Sequence, residues 1–139
     1  MPEADFIQFN KKKLHEVCEK FGLSLVILFG SNAKKKGRKP DSDVDIGIQV
    51  KDIDTLVKKD LALLSAFTEA FEHSKIDLTY LNYADPLLLY EIVKDGILIY
   101  QDKKGLFAEF KIKALKKHFD AKKFYELEDI CLQRFVQRK

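Results

Sequence analysis

Residues 23–50 decide the fold of this chain, and they read LSLVILFGSNAKKKGRKPDSDVDIGIQV. The apolar run at 23–29 has the length of a buried central strand and is followed by a Gly-Ser turn. In 43–50, valine and isoleucine alternate with polar residues or glycine, which is the period-2 pattern of a strand with one apolar face. Asp43 and Asp45 therefore share the other face of this second strand.

Helices are predicted on both sides of these strands. Residues 11–21 form an amphipathic helix that stops at Gly22, and 32–41 read as one helical turn followed by a loop. Asp54 is a good N-cap for a helix that should end near His73. The predicted core stripe of that helix comprises Val57, Leu61, Leu64, Phe67 and Phe71.

A third strand is predicted at 75–81, where Asp77 is a lone acid among apolar neighbours. Asp85 followed by proline marks the start of a further helix, and Gly96 ends it. The short apolar run at 97–100 then predicts a fourth strand. The chain is therefore expected to form an α/β (α+β) fold, a small mixed sheet flanked by helices.

The C-terminal third is predicted to be a helical extension, about 103–137, with a break near Asp120. Its apolar stripe includes Phe107, Phe110, Phe119, Phe124 and Phe135. Such a stripe either packs on the sheet of its own domain or docks a partner protein. The sequence leaves both interpretations open.

Length and composition favour one compact domain over residues 1–139, with its core at about 11–100. The 46% apolar content supports a packed core, while 34% charged residues indicate a solvated surface. No apolar run approaches the roughly 20 residues that span a bilayer, and no signal peptide is apparent, so we expect a cytoplasmic protein without membrane contact. Cys18 and Cys131 are expected to be reduced core thiols.

Three aspartates are predicted to meet at one end of the sheet. Asp43 and Asp45 lie about 7 Å apart along their strand, at roughly 3.3 Å per residue, and Asp77 comes from a neighbouring strand. Each feature is weak alone, because acids at strand ends usually face water. Together, three crowded carboxylates would repel one another without a cation, and all-oxygen ligands favour Mg²⁺ or Mn²⁺. A pair of such ions can serve phosphoryl transfer.

The turn after the first strand suits an anion. Gly30 allows the backbone to approach a phosphate closely. Ser31 can cap the following turn and present its hydroxyl and backbone N–H groups. The turn and the acids together predict a nucleoside triphosphate site.

The stretch LFGSNAKKKGRKPDSDVDIGI, residues 28–48, resembles the signature of the DNA polymerase beta-type nucleotidyltransferase superfamily and its minimal nucleotidyltransferase branch. The resemblance covers about residues 11 to 100 and implies a nucleotidyltransferase fold. It implies that Asp43 and Asp45 bind two Mg²⁺ ions, and that Asp77 joins them and helps to activate the acceptor. It also implies that Gly30, Ser31 and Ser42 bind the nucleotide; the eleven residues between Ser31 and Asp43 are one more than is common.

The small stand-alone branch resembles the antitoxin of toxin–antitoxin pairs whose toxin is an all-helical HEPN ribonuclease. This implies an Mg²⁺-dependent adenylyltransferase (AMPylase) that transfers AMP from ATP to a tyrosine of the cognate HEPN toxin, in a hetero-oligomer with it. Two alternatives stay open: a small-molecule nucleotidyltransferase of the antibiotic-modifying type, and a non-catalytic antitoxin that covers its partner sterically. A nucleic-acid substrate is not expected, because no aromatic-and-basic recognition motif accompanies the lysine clusters.

Overall fold

A computed structural model describes residues 9–30, 43–54, 58–72 and 75–137 of the chain. Within these ranges the elements, in chain order, are α1 (Lys11–Phe21), β1 (Leu23–Phe29), β2 (Val44–Val50), α2 (Asp60–Phe71), β3 (Ile76–Tyr80), α3 (Pro86–Asp95), β4 (Ile97–Gln101) and α4 (Leu106–Gln137). The predicted turn and loop at 32–41 lie outside the described residues.

The four strands form one mixed sheet in the order β3-β2-β1-β4. β1 is antiparallel to β2 and β4, while β2 and β3 run parallel. Helices cover both faces: α1 and α2 enclose one apolar cluster with the sheet, and α3 and the first half of α4 enclose another. The expected mixed sheet flanked by helices, with a helical C-terminal extension, is confirmed.

Strand β1 is buried on both faces, as its apolar run predicts. Leu23, Val26 and Leu28 pack in the cluster under α1 and α2, whereas Leu25 and Ile27 pack under α3 and α4. Strict alternation would put Leu23 with Leu25, but the pairing with β2 shifts register between these two residues. This irregularity places Leu23 on the same side of the sheet as Val26 and Leu28.

Local capping signals set the ends of α1 and α3. Asn10 accepts a hydrogen bond from the Lys13 backbone N–H at 3.1 Å, and Gly22 ends α1 in the left-handed conformation. Asp85 accepts from the Leu88 backbone N–H at 2.9 Å at the start of α3. The predicted bounds of both helices are confirmed.

The predicted start of α2 is wrong, and its predicted inner face is wrong at Leu61. The helix begins at Asp60, where the N-cap residue makes no side-chain capping bond, and Asp54 lies before it. Leu61, predicted in the core stripe, is 82% exposed, and Leu63 is fully buried in its place. Leu64 is half-buried, and Phe67 and Phe71 are buried as predicted, so the inner face departs from the expected stripe only in the first turn. Val57 and His73 lie outside the described residues.

Helix α4 continues without a break through Asp120 to Gln137. Its first half packs on the sheet through Phe107 and Phe110, whereas Phe119 and Phe124 are exposed. The apolar stripe therefore divides into a packed half and an uncovered half. Within the described part of the chain, no helix is long and apolar enough to cross a membrane.

The two cysteines lie in opposite surroundings. Cys18 is buried in α1, and its burial raises the pKa of its thiol to about 12, so it is an inert core thiol as expected. Cys131 on α4 is exposed, which corrects the prediction that it belongs to the core. The uncovered position of the second half of α4 explains the difference.

Candidate active site

The candidate site begins where β1 ends. Asp45 on β2 pairs with Phe29, the last residue of β1, and Gly30 follows with φ of 79°. A Cβ atom at position 30 would lie 2.1 Å from Asp45 Oδ2. The Asp45 carboxylate therefore rests directly against the Gly30 backbone, and only glycine fits there.

Asp77 lies beside Asp45 on the neighbouring strand. The two residues are directly opposite in the parallel pairing of β2 with β3. Directly opposite residues on adjacent strands present their side chains on the same face of the sheet. Sheet pairing thus creates a carboxylate pair from residues that are 32 positions apart in sequence.

The pKa of Asp45 is raised above its ordinary value of 3.8. Partial burial is the main cause, followed by the negative charges of Asp77 and Asp43 and by the hydrogen bond to Asp77. Asp43 lies just before β2 and is exposed, as is Asp77. The site is therefore a half-buried carboxylate flanked by two acids that face solvent.

The chemistry of this group fits a hard divalent cation. All its donors are carboxylate oxygens, the ligands that Mg²⁺ prefers, and a cation would relieve the repulsion among the three acids. Among the described residues, no three His, Cys, Asp or Glu side chains surround a point closely enough to hold an ion as they stand. The fit therefore rests on the donor type and on the mutual repulsion of the acids.

The structure brings three of the six predicted site residues together, namely Gly30, Asp45 and Asp77, and the charge of Asp43 is near enough to raise the pKa of Asp45. Ser31 and Ser42 lie outside the described residues. Gly47 is a positioning residue that the sequence did not single out. A Cβ there would meet Leu81 Cδ2 at 2.9 Å and Phe29 Cε1 at 3.5 Å, so its lack of a side chain lets β2 lie close to both. A glycine inside a strand is the signal for such close approach.

The sheet is mixed, and the glycine bend at the end of β1 lies beside aspartates of β2 and β3. This is the arrangement that the sequence resemblance implies for a nucleotidyltransferase. Comparison with protein families agrees. The chain belongs to the family "Polymerase beta, Nucleotidyltransferase", whose model matches residues 12–105. No curated protein matches the chain.

Solved structures share the fold at low sequence identity. A chain from the crystal structure of a toxin–antitoxin with AMP-PNP superposes with a TM-score of 0.64 and 22% identity, over 88% of this chain and 98% of that one. A chain from a tri-AMPylated Shewanella oneidensis HEPN toxin in complex with MNT antitoxin gives 0.57 and 22%, over 94% and 99%. At these sequence identities, the comparison shows only that the fold is shared.

Proposed function

We propose that this chain is an Mg²⁺-dependent adenylyltransferase that acts as an antitoxin and transfers AMP from ATP to a tyrosine of a cognate HEPN ribonuclease toxin. The observation that carries the proposal is the Asp45 carboxylate, held between the Gly30 backbone and Asp77. Family membership supports nucleotidyl transfer. The structural neighbours with AMP-PNP and with an AMPylated HEPN toxin support this donor and this acceptor.

In the proposed reaction, the tyrosine oxygen attacks the α-phosphorus of ATP. The bond from that phosphorus to the bridging oxygen of the β-phosphate breaks, and pyrophosphate leaves. Asp77, exposed beside Asp45, takes the proton of the tyrosine hydroxyl. Gly30 gives the phosphates access to the backbone, and Ser31 and Ser42 are proposed to contact them.

Asp43, Asp45 and Asp77 are the proposed ligands of two Mg²⁺ ions. When bound, these ions neutralise phosphate charge and assist the attacking and leaving oxygens. Asp45 and Asp77 contribute by lying directly opposite each other on adjacent strands, and Asp43 adds a third carboxylate just before β2. With ATP as the proposed donor, the cytoplasm is the proposed location.

The test uses the purified pair and ATP labelled on either the α- or the γ-phosphate. We expect α-label on the toxin, no γ-label, and loss of label when tyrosines of the toxin are replaced. Asp43→Ala and Asp45→Asn should each reduce the rate by at least about a hundredfold, the scale for losing a positioned catalytic group. Glu91→Gln, an exposed acid on α3, is the matched control and should keep full activity.

Each alternative predicts another outcome. Transfer of γ-label, or undiminished transfer by Asp43→Ala, would contradict the proposal. Neutralisation of the toxin without any label would favour steric cover, and adenylation of an aminoglycoside by the isolated chain would favour the small-molecule enzyme. Calorimetry with AMP-PNP should also detect binding that needs Mg²⁺ and is lost in Asp45→Asn.

A further inference from the structure

The second half of α4 lies uncovered. Ala114 is the last buried residue among the described side chains of this helix. Beyond it, six large apolar side chains are between 46% and 64% exposed: Phe119, Phe124, Tyr125, Leu127, Ile130 and Leu132. So much exposed apolar surface on one short segment marks an interaction site.

These side chains point in several directions around the helix. At about 100° per residue, Phe119, Phe124, Leu127 and Ile130 share one broad face of the helix. Tyr125 and Leu132 lie together on the opposite side, in line with the buried Ala114. A helix that is apolar on several sides is normally buried by neighbours. Packing of α4 on its own sheet cannot supply this cover, because that packing ends near Ala114.

Charge divides the same segment into two halves of opposite sign. Residues 116–123 contain four lysines and one aspartate, whereas 126–129 contain three acids and no basic residue. Phe124 and Tyr125 lie between the halves. The centres of the two charged halves are eight residues apart, which is about 12 Å along a helix at roughly 1.5 Å per residue.

We propose that a second copy of this chain covers the segment, with the two α4 helices antiparallel and a two-fold axis near Phe124. In this arrangement the basic half of each copy faces the acidic half of the other, and the face formed by Phe119, Phe124, Leu127 and Ile130 meets its copy between them. A parallel arrangement would place like charges together. The antiparallel pair is self-complementary, as a two-fold interface must be.

A groove lies on the opposite side of this segment, the side that carries Tyr125. It has a volume of about 560 Å³ and lies between the start of α3 and the second half of α4. Leu87, which is 63% exposed, and Tyr125 contribute apolar surface to it, while Lys122 and Glu126 lie on its α4 side. The antiparallel contact between the α4 helices therefore leaves this groove open.

The first test measures self-association of the full chain by sedimentation velocity. The wild type should dimerise. The basic-half variant Lys122→Glu/Lys123→Glu and the acidic-half variant Glu126→Lys/Glu128→Lys should each weaken the dimer at least about tenfold, since each places like charges opposite one another. Mixing the two variants should restore a heterodimer, because their helices then carry opposite charges.

The matched control is Lys11→Glu/Lys12→Glu, which reverses two exposed lysines at the start of α1 and should leave the dimer unchanged. Circular dichroism of every variant establishes that the fold is kept. A wild-type chain that stays monomeric at about 100 μM would overturn the proposal. So would a dimer that is indifferent to both charge reversals, or a mixture that fails to associate.

The second test determines the orientation with the exposed thiol of Cys131, since Cys18 is buried and unreactive. A nitroxide at Cys131 lies seven residues from the proposed axis, so two labels in the antiparallel dimer should be roughly 20 Å apart. A separation near the roughly 10 Å between packed helix axes would indicate parallel helices and contradict the proposal. Protection of Leu127 and Ile130 by a co-purified toxin in a complex that holds one copy of this chain would also contradict it.

Discussion

At the scale of single residues, Gly30 and Gly22 share a left-handed backbone but differ in their surroundings. Both have positive φ, 79° and 66°. A Cβ at Gly30 would collide with the Asp45 carboxylate, whereas a Cβ at Gly22 would meet no atom within 4 Å. Comparing substitutions at these two glycines therefore distinguishes the effect of backbone strain from the effect of crowding the Asp45 carboxylate.

We expect Gly30→Ala to lose at least about a hundredfold in transfer rate, because a displacement of Asp45 by about 1 Å misplaces the reacting groups. Gly22→Ala should keep its activity and lose only about 1 kcal/mol of unfolding free energy, the cost of left-handed backbone in a residue with a side chain. Initial rates with α-labelled ATP and urea denaturation measure the two effects. Equal activity losses in both variants would contradict this interpretation.

The raised pKa of Asp45 has a consequence for stability. A carboxyl group that binds its proton more tightly when folded stabilises the protein below the unfolded pKa near 3.8, and this contribution is lost as pH rises through the folded pKa. Asp45→Asn keeps the shape without the charge. The free energy of unfolding of the variant relative to wild type should therefore rise between about pH 3 and pH 7.

The expected gain at neutral pH is below about 1 kcal/mol, since Asp45 is partly exposed and solvent screens its interactions. Urea denaturation at several pH values without divalent ions measures it, and Glu91→Gln, which changes an exposed acid on α3, serves as the control. Saturating Mg²⁺ should raise the stability of the wild type alone. A difference from wild type that stays constant with pH would refute the argument.

At the scale of elements, local signals predicted most bounds. Asn10, Gly22 and Asp85 act on the backbone within a few residues, so their effects are readable in sequence. The shift of register in β1 was not predictable, because its run of apolar residues contains too few polar positions to mark a face. The break expected near Asp120 is absent because one aspartate in a helix costs only about 0.7 kcal/mol.

The inner face of α2 gives a direct test of packing. Leu63 is fully buried between α2 and the sheet, and Leu61, two residues earlier, is 82% exposed. Leu63→Ala should lower the free energy of unfolding by about 2–5 kcal/mol, because it removes buried contacts and leaves a cavity. Leu61→Ala should change it by less than about 0.5 kcal/mol. If urea denaturation gave similar losses of unfolding free energy for both variants, α2 would have to be rotated about its axis relative to this structure.

At the scale of the whole molecule, the proposed site combines three separate pieces of chain. The sequence indicated the acids and the turn because Gly30, Asp43 and Asp45 lie within one short stretch. It could not indicate that Asp77 stands directly opposite Asp45, since that depends on parallel pairing of β2 with β3. The close approach of Leu81 to Gly47 likewise arises only when the sheet has formed.

Removing the second half of α4 should change the free energy of unfolding of the rest of the molecule only slightly. Core contacts of α4 end near Ala114, so a chain that ends at Asp120 keeps both apolar clusters. Measured at a dilution where the full chain is monomeric, its free energy of unfolding should fall by less than about 1 kcal/mol. Its capacity to self-associate should disappear, because the acidic half and most of the exposed apolar side chains are gone.

A chain that ends at Lys104 is the matched control, since it also removes Phe107, Phe110 and Ala114 from the second cluster. It should fail to unfold cooperatively, because Leu25 and Ile27 then lose their cover. If the chain that ends at Asp120 were as unstable as this control, the second half of α4 would have to support the core, and its exposed side chains would need another explanation. If the chain that ends at Asp120 instead unfolds cooperatively but no longer associates, the residues up to Ala114 are needed for folding and the residues beyond it for association.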